Sequence, residues 1–288
     1  SLCRDRVEEL KQEAAAWDKQ LKRFLDDNKD KGELLDALTS QSVPDNILEE
    51  LLAVVPHKED ATRKTSGAIM QRAAALVPSL TGGAADLNPS TKTHLEEESD
   101  FCPADFAGRN VHFGVREFCM GLCANGIALY NTGIPFTATF AVFSDFMKPA
   151  LRLAAIQNLH AVYIFTHDSI FVGEDGPTHQ PIEQLAMLRS IPRLTVIRPA
   201  DASEAAHAWA AALKHDGPVA MFLTRQKVTG IPNELRENID VARGGYVLSD
   251  EEGFELLLIA TGSEVGAALG AADILREKGH KVRVVSMP

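Results

Sequence analysis

The chain has 288 residues, 45% of them apolar and 24% charged, with a net charge of −11. That length supports one large domain or two ordinary ones, and the composition is globular rather than disordered or fibrous. The acidic balance argues against a nucleic-acid or anionic-membrane surface, and no apolar run approaches the about eighteen residues of a membrane span.

The charged opening SLCRDRVEEL does not read as a signal peptide, so a cytoplasmic location is expected. Residues 5–25 place Val7, Leu10, Ala14, Trp17, Leu21 and Phe24 at alternating three- and four-residue steps, one apolar stripe on a charged helix. A helix packing across a neighbouring domain is the expected use of that stripe. A second amphipathic helix, 47–55, follows the helix-entry signal Pro44-Asp45-Asn46. Neither helix can bury its stripe alone, and residues 1–60 read as the tail of something larger.

From about residue 62 to 228 strand and helix patterns alternate. Strands are expected at 80–84, 111–113, 136–141, 162–166, 195–198 and 219–224, and helices at 65–76, 117–130, 146–159 and 203–213. Short apolar strands separated by helices predict an α/β fold, a mostly parallel sheet with helices on both faces. A polar stretch at 226–243 reads as a linker. A strand at 255–260, a helix at 264–278 and a strand at 282–285 then begin a second α/β domain. Cys3, Cys102, Cys119 and Cys123 form no CxxC pair and no metal-ligand spacing with histidine. Cys119 and Cys123, four apart on one helix, read as small buried hydrophobes in a reducing compartment.

The densest chemistry lies in GEDGPTHQP, residues 173–181, which follows the apolar strand at 162–166. A loop at the carboxyl end of a buried strand is where open α/β sheets hold ligands. It carries Glu174, Asp175 and His179, with His167 at the strand's exit, and two glycines and a proline fix its path. It reads as a catalytic or sugar-binding loop. Glu117 stands in the first turn of a helix, where a capping charge is the plain reading. The apolar run after it suggests partial burial, which would let it share a proton with a bound base. Phe140, Phe143 and Phe146 recur at steps of three and would line a helical face, as core or as the wall of a heteroaromatic pocket. Arg63, Lys64, Arg225 and Lys227 could meet a phosphate or simply be solvated. Ser90 follows a glycine-rich turn at 82–86. The loop Thr261-Gly262-Ser263-Glu264 needs no more than turn formation and is left outside the site.

In order, ATRK (61–64), GGAADLNPS (82–90), HFGVREF (112–118), TATFAVFSDF (137–146), THDSIFVGEDGPTHQP (166–181) and TRQ (224–226) resemble the transketolase family. The resemblance covers the pyrimidine-binding domain and extends less specifically to either side. It implies a division into 1–60, the helical tail of a diphosphate-binding domain, 61–230, the pyrimidine-binding domain, 231–243, a linker, and 244–288, the start of a C-terminal domain. It implies thiamine diphosphate as cofactor, with Glu117 against its aminopyrimidine ring, Phe140, Phe143 and Phe146 around that ring, and Asp86 nearby. His179 and Asp175 would contact the sugar's carbonyl and hydroxyls, while Arg63, Ser90, His167 and Arg225 hold its phosphate. Sugar phosphates and a second copy of the chain, with the active site between two subunits, are the implied partners. Phe146 stands where the family commonly has tyrosine, Ala84 where serine is frequent and Lys227 where asparagine is usual. The GDG motif that binds Mg2+ and the diphosphate in this family is not found in these residues, so no turnover is expected of this chain alone. A non-catalytic binding module and another thiamine enzyme, 1-deoxyxylulose-5-phosphate synthase, are the competing readings.

Overall fold

The computed structural model describes residues 2–55 and 59–288. Helix α1 (Leu2–Asp27) forms where the apolar stripe predicts, but Val7, Leu10, Trp17 and Phe24 remain exposed along it. It touches α2 (Lys29–Ser40), which the sequence reading lacks. No side chain caps α2, and Gly32 lies within its first turn. Its Lys, Glu, Leu and Ala residues still favour a helix.

Next come α3 (Ile47–Leu52), α4 (Thr62–Leu76), β1 (Leu80–Ala84), α5 (Asn88–Thr91), α6 (Glu117–Tyr130) and β2 (Ile134–Phe140). The unit is completed by α7 (Ser144–Gln157), β3 (Val162–Thr166), α8 (Gln184–Arg189), β4 (Thr195–Ile197), α9 (Ala202–Lys214) and β5 (Val219–Leu223). The five strands form a wholly parallel sheet in the order β1-β2-β3-β5-β4. Side chains of β3 alternate between two cores. Val162 and Ile164 join the layer of α3, α4 and α9, while Tyr163 and Phe165 join that of α6, α7 and α8. Both faces are therefore covered, which is why these strands are almost continuously apolar.

The expected strand at 111–113 is not one. Only Asn110 bridges there, to Gly82 and Asp100, and the segment lies against β1 through Val111 N–H to the Gly82 carbonyl at 2.8 Å. Gly82 and Gly83 belong to β1 itself rather than to a turn. A Cβ on Gly83 would sit 1.9 Å from the Val111 carbonyl oxygen, and one on Gly82 1.9 Å from that of Phe136. Close approach of backbone on both sides is what requires glycine here.

The second unit contains β6 (Tyr246–Ser249), β7 (Leu256–Ala260), α10 (Glu264–Glu277) and β8 (Val282–Ser286). Its sheet has the order β6-β8-β7, with β7 parallel and β6 antiparallel to β8. The stretch at 226–243 is packed rather than free. Val228, Ile231, Ile239 and Val241 are buried, and Asp201 accepts from Ile231 N–H at 2.8 Å while also capping α9 at Glu204 N–H, 2.9 Å. Four apolar anchors were hidden by the charges between them. Glu204 joins the units: fully buried, it accepts hydrogen bonds from the hydroxyls of Tyr246 and Ser286 and from Ala200 N–H. No helix among the described residues is long and apolar enough to cross a membrane.

Trp209 on α9 is fully buried and donates its indole N–H to Ser66 Oγ on α4 at 2.7 Å. Trp209→Ala should lower unfolding free energy by about 3–5 kcal/mol in urea titrations. A loss below about 1 kcal/mol would be a surface substitution's behaviour and would contradict this packing.

Candidate functional site

Strand register builds the site. Phe140, Thr166 and Leu223 are aligned partners at the carboxyl ends of β2, β3 and β5. The residues just beyond those ends, His167 and Arg225, therefore emerge on one edge of the sheet. Asp86 lies beyond β1 on the same side, because Ala84 pairs with Ala138.

Glu117 opens α6 and is 8% exposed, so the partial burial expected of it is present. Thr139 Oγ1 donates to its Oε1 at 3.3 Å, and among the described residues its second oxygen has no partner. The floor beneath is pinned by polar contacts. Asn125 Nδ2 donates to the Ala150 carbonyl at 2.9 Å, and Tyr163 OH donates to Asn125 Oδ1 at 2.6 Å. Burial pushes the Tyr163 phenol up, which keeps it a donor.

The three phenylalanines do not share one helical face. Phe140 ends β2, Phe143 closes a single 3-10 turn and Phe146 lies in α7. A 3-10 turn brings positions three apart into eclipse, so the rings stack. Centroids of Phe140 and Phe143 are 6.0 Å apart, and those of Phe143 and Phe146 6.1 Å. Exposure rises outward, from 7% at Phe140 to 63% at Phe146. His167 lies over Phe140 at 3.7 Å, and His179 meets Phe143 edge-on at 5.3 Å.

A cluster of cations adjoins these rings. His167 is buried with its backbone at φ 59°, in the left-handed region. Burial first, then the charges of Arg63, Arg225 and His179, push its imidazole down to about 3. Arg63 is lowered by burial and then by Arg225, while Asp60 and Asp175 oppose the shift. The Arg63 guanidinium donates to the Ser90 carbonyl, yet its buried Nε has no partner among the described residues. Arg225 lies 3.8 Å from the exposed Glu174, and its guanidinium passes Gly173 so closely that a Cβ there would touch it at 3.4 Å. Two arginines that depress a neighbouring imidazole make a place for an anion.

The structure thus gathers Phe140, Phe143, Phe146, His167, His179, Arg63 and Arg225. Ser90 contributes its carbonyl to this group. Asp175 is exposed on the loop, within electrostatic reach of Arg63. Asp86, exposed with φ 61°, instead lines a cleft of about 950 Å³ with Lys64, Lys92, His94 and His112 among its walls. Cys119 and Cys123 are exposed on α6 with sulfurs 4.0 Å apart, contrary to the buried reading, because Met120 and Ala124 take the core side of the helix and leave the cysteines on the side of the exposed Phe118. Asp168, next to His167 in sequence, and Arg198 are not among the candidates expected from the sequence, and they pair at 2.6 Å. An acid directly after the histidine was the available signal.

The unfolded imidazole titrates near 6.5 and the folded one near 3, so between those values the unfolded chain binds the extra proton. Stability present above pH 6.5 should therefore be lost as pH falls toward 3. Thermal melts at stepped pH should show a shallower acid loss for His167→Asn, since asparagine tolerates the left-handed backbone. Parallel curves for the two proteins would contradict a buried, neutral His167.

Comparison with known proteins identifies the family. The family model described as "Transketolase, pyrimidine binding domain" matches residues 58–230, and "Transketolase-like TK C-terminal domain" matches 244–288. The chain is 45% identical over 288 residues to a transketolase of Aquifex aeolicus (strain VF5), covering 99% of this chain and 41% of that protein. It superposes on a transketolase from Leishmania mexicana with a TM-score of 0.90 at 37% identity, covering 98% of this chain and 42% of the other. A transketolase from Pichia stipitis, solved in complex with sedoheptulose-7-phosphate, gives a TM-score of 0.90 at 34% identity, with 98% and 43% covered. The chain thus spans less than half the length of these three relatives, and it belongs to the transketolase family.

Proposed function

We propose that the intact protein is a transketolase, moving a two-carbon ketol unit from a ketose phosphate such as xylulose 5-phosphate to an aldose phosphate such as ribose 5-phosphate. The observation that carries this reading is the junction of a buried carboxylate, a stacked aromatic wall and a cation cluster on one sheet edge. In this reading residues 61–230 are the pyrimidine-binding domain, 231–243 a connection, 244–288 the start of the C-terminal domain, and 1–60 belong with the diphosphate-binding side.

The residues fit thiamine diphosphate. Glu117 offers an unpartnered carboxylate oxygen to a ring nitrogen, and the open outer ring of the stack, Phe146, suits a flat heterocycle. When bound, the cofactor supplies the carbon nucleophile and the electron sink for C–C cleavage. Glu117 would hold or release a proton at the pyrimidine nitrogen, from a site whose burial keeps water from competing. Phe140 and Phe143 would exclude water from the ring. Asp86 would stand near the cofactor from the neighbouring cleft. Mg2+ and the diphosphate would be held outside these residues.

The substrate's phosphate would lie among Arg63, Arg225 and His167, where it satisfies the orphaned Arg63 Nε and relieves the mutual repulsion of the cations. Thr166 Oγ1 and His167 Nδ1 are 2.9 Å apart. With the hydroxyl donating, Nε2–H of the neutral ring is left to donate to a phosphate oxygen. Ser90 would complete that subsite. His179, whose Nδ1 pairs with Thr178 Oγ1 at 2.8 Å, and Asp175 would contact the sugar's carbonyl and hydroxyls.

A homodimer and a cytoplasmic location belong to the same proposal. Phe118, Leu129 and Tyr130 on α6, with Phe146, Leu153 and Ile156 on α7, form an exposed apolar face beside the site. Such a face suits a second copy of the chain, which would close the pocket over Phe146.

In the intact protein, Glu117→Gln should lower kcat with xylulose 5-phosphate and ribose 5-phosphate about 100-fold or more, with the fold retained. A near-normal rate would remove Glu117 from the mechanism. Turnover of pyruvate plus glyceraldehyde 3-phosphate instead would assign the protein to 1-deoxyxylulose-5-phosphate synthase, and no turnover with either pair despite bound cofactor would make it a binding module. Leu129→Asp combined with Ile156→Asp should convert the dimer to monomer in sedimentation, and an unchanged dimer would place the interface elsewhere.

A further inference from the structure

We propose that Arg198 is a positioning residue: it ties residues 261–264 of the second unit to Asp168 and so fixes His167 for binding an anion. The inference rests on the phosphate subsite proposed above. Arg198 follows β4 at the same carboxyl edge as His167, since Ile197 is aligned with Met221 of β5.

All of its donors are engaged. Nε donates to Asp168 Oδ2 at 2.6 Å and Nη1 to the Thr261 carbonyl at 2.7 Å. Nη1 also bonds a Glu264 carboxylate oxygen, while Nη2 reaches Ser263 Oγ at 3.0 Å and Glu264 Oε1 at 3.2 Å. The loop is shaped around the guanidinium. Gly262 has φ 58°, and a Cβ there would lie 2.6 Å from Nη1.

Asp168 is the other end of the tie. Its side chain is wholly buried, and Oδ1 has no hydrogen-bond partner among the described residues, so the carboxylate is held by Arg198. Burial pushes the Asp168 carboxyl up against the opposing pull of Arg198. Desolvation pulls Arg198 down, but Glu264 and Asp168 outweigh it and hold it above its ordinary range. A buried ion pair is weak support for stability, because apolar residues of similar volume often do as well. What it adds is orientation, and the residue it orients is one step from His167. That histidine's left-handed backbone is unfavourable for a side chain with a Cβ and needs an outside hold. The second unit thus reaches the anion subsite without any of its own residues entering it.

The test uses the 288-residue chain labelled at histidine, titrated by NMR with inorganic phosphate and, separately, with acid. His167 faces Arg63, Arg225 and His179, with Asp168 behind it, while His160, bonded to the Ala212 carbonyl at the opposite end of β3, reports folding. Arg198→Lys keeps the charge and removes the fork. It should make the His167 signal titrate toward 6.5 and weaken phosphate binding about tenfold or more, with the His160 signal unmoved. Unaltered His167 titration in a folded Arg198→Lys chain would overturn the inference. If that variant does not fold, Glu264→Gln loosens the fork from the half-exposed end and must shift the His167 signal in the same direction. An unshifted signal there overturns it equally. Failure of the unsubstituted chain to bind phosphate counts against the phosphate subsite alone, since the tie is judged on the His167 titration.

Discussion

Five parallel strands buried on both faces can meet water only at their ends, and that constraint organises everything polar in this unit. Alternate side chains of β3 and β5 fill two separate apolar layers, leaving no room for chemistry along the strands. The register then delivers Phe140, His167 and Arg225 to one edge without any of them being neighbours in sequence. Arg63 joins from the start of α4, held there by the Arg63 N–H to Thr224 carbonyl bond at 3.4 Å. The site is thus a consequence of sheet topology before it is a matter of particular side chains.

Its two flanks have opposite character. One is a stack of phenyl rings that runs from the core to the surface beside a buried carboxylate. The other is a group of cations that desolvation makes costly and that no carboxylate among the described residues fully offsets, Glu174 reaching Arg225 only at 3.8 Å. A ligand system with a flat ring on one side and a phosphate on the other satisfies both flanks. On a chain with a net charge of −11, so local a concentration of positive potential is best accounted for by an anion.

Much of this was legible in the residues. The alternation of short apolar strands with helices set the sheet and both of its layers, and GEDGPTHQP marked the loop because stiff backbone and titratable groups coincide there. What escaped depends on contacts distant in sequence. β6 is four residues long and pairs with β8 some forty residues later, so no local pattern announces it. Gly82 and Gly83 look like a turn until the chain at 109–111 is seen lying against them. The phenylalanine spacing of three was visible, but a strand end, a 3-10 turn and a helix share it, and only the backbone shows that the rings stack. Cys119 and Cys123 misled because an apolar run reads as buried, whereas this face of α6 is turned outward. Arg198 looked like the end of a strand, and its partners lie 30 and more than 60 residues away.

The two units are coupled at two buried charged residues. Glu204 gathers hydroxyls from β6 and β8, and Arg198, held to Asp168 through Nε, gives its fork to Ser263 and Glu264. The claim on which the account stands is that Glu117 serves a cofactor ring lodged against the phenylalanine stack. The measurement that tests it most directly is a crystal structure of the intact protein with thiamine diphosphate bound. The account predicts a Glu117 carboxylate oxygen within about 2.6–3.2 Å of a pyrimidine nitrogen, with the ring packed on Phe143 or Phe146. A cofactor ring seated away from that stack, with Glu117 bonded only to Thr139, would contradict it.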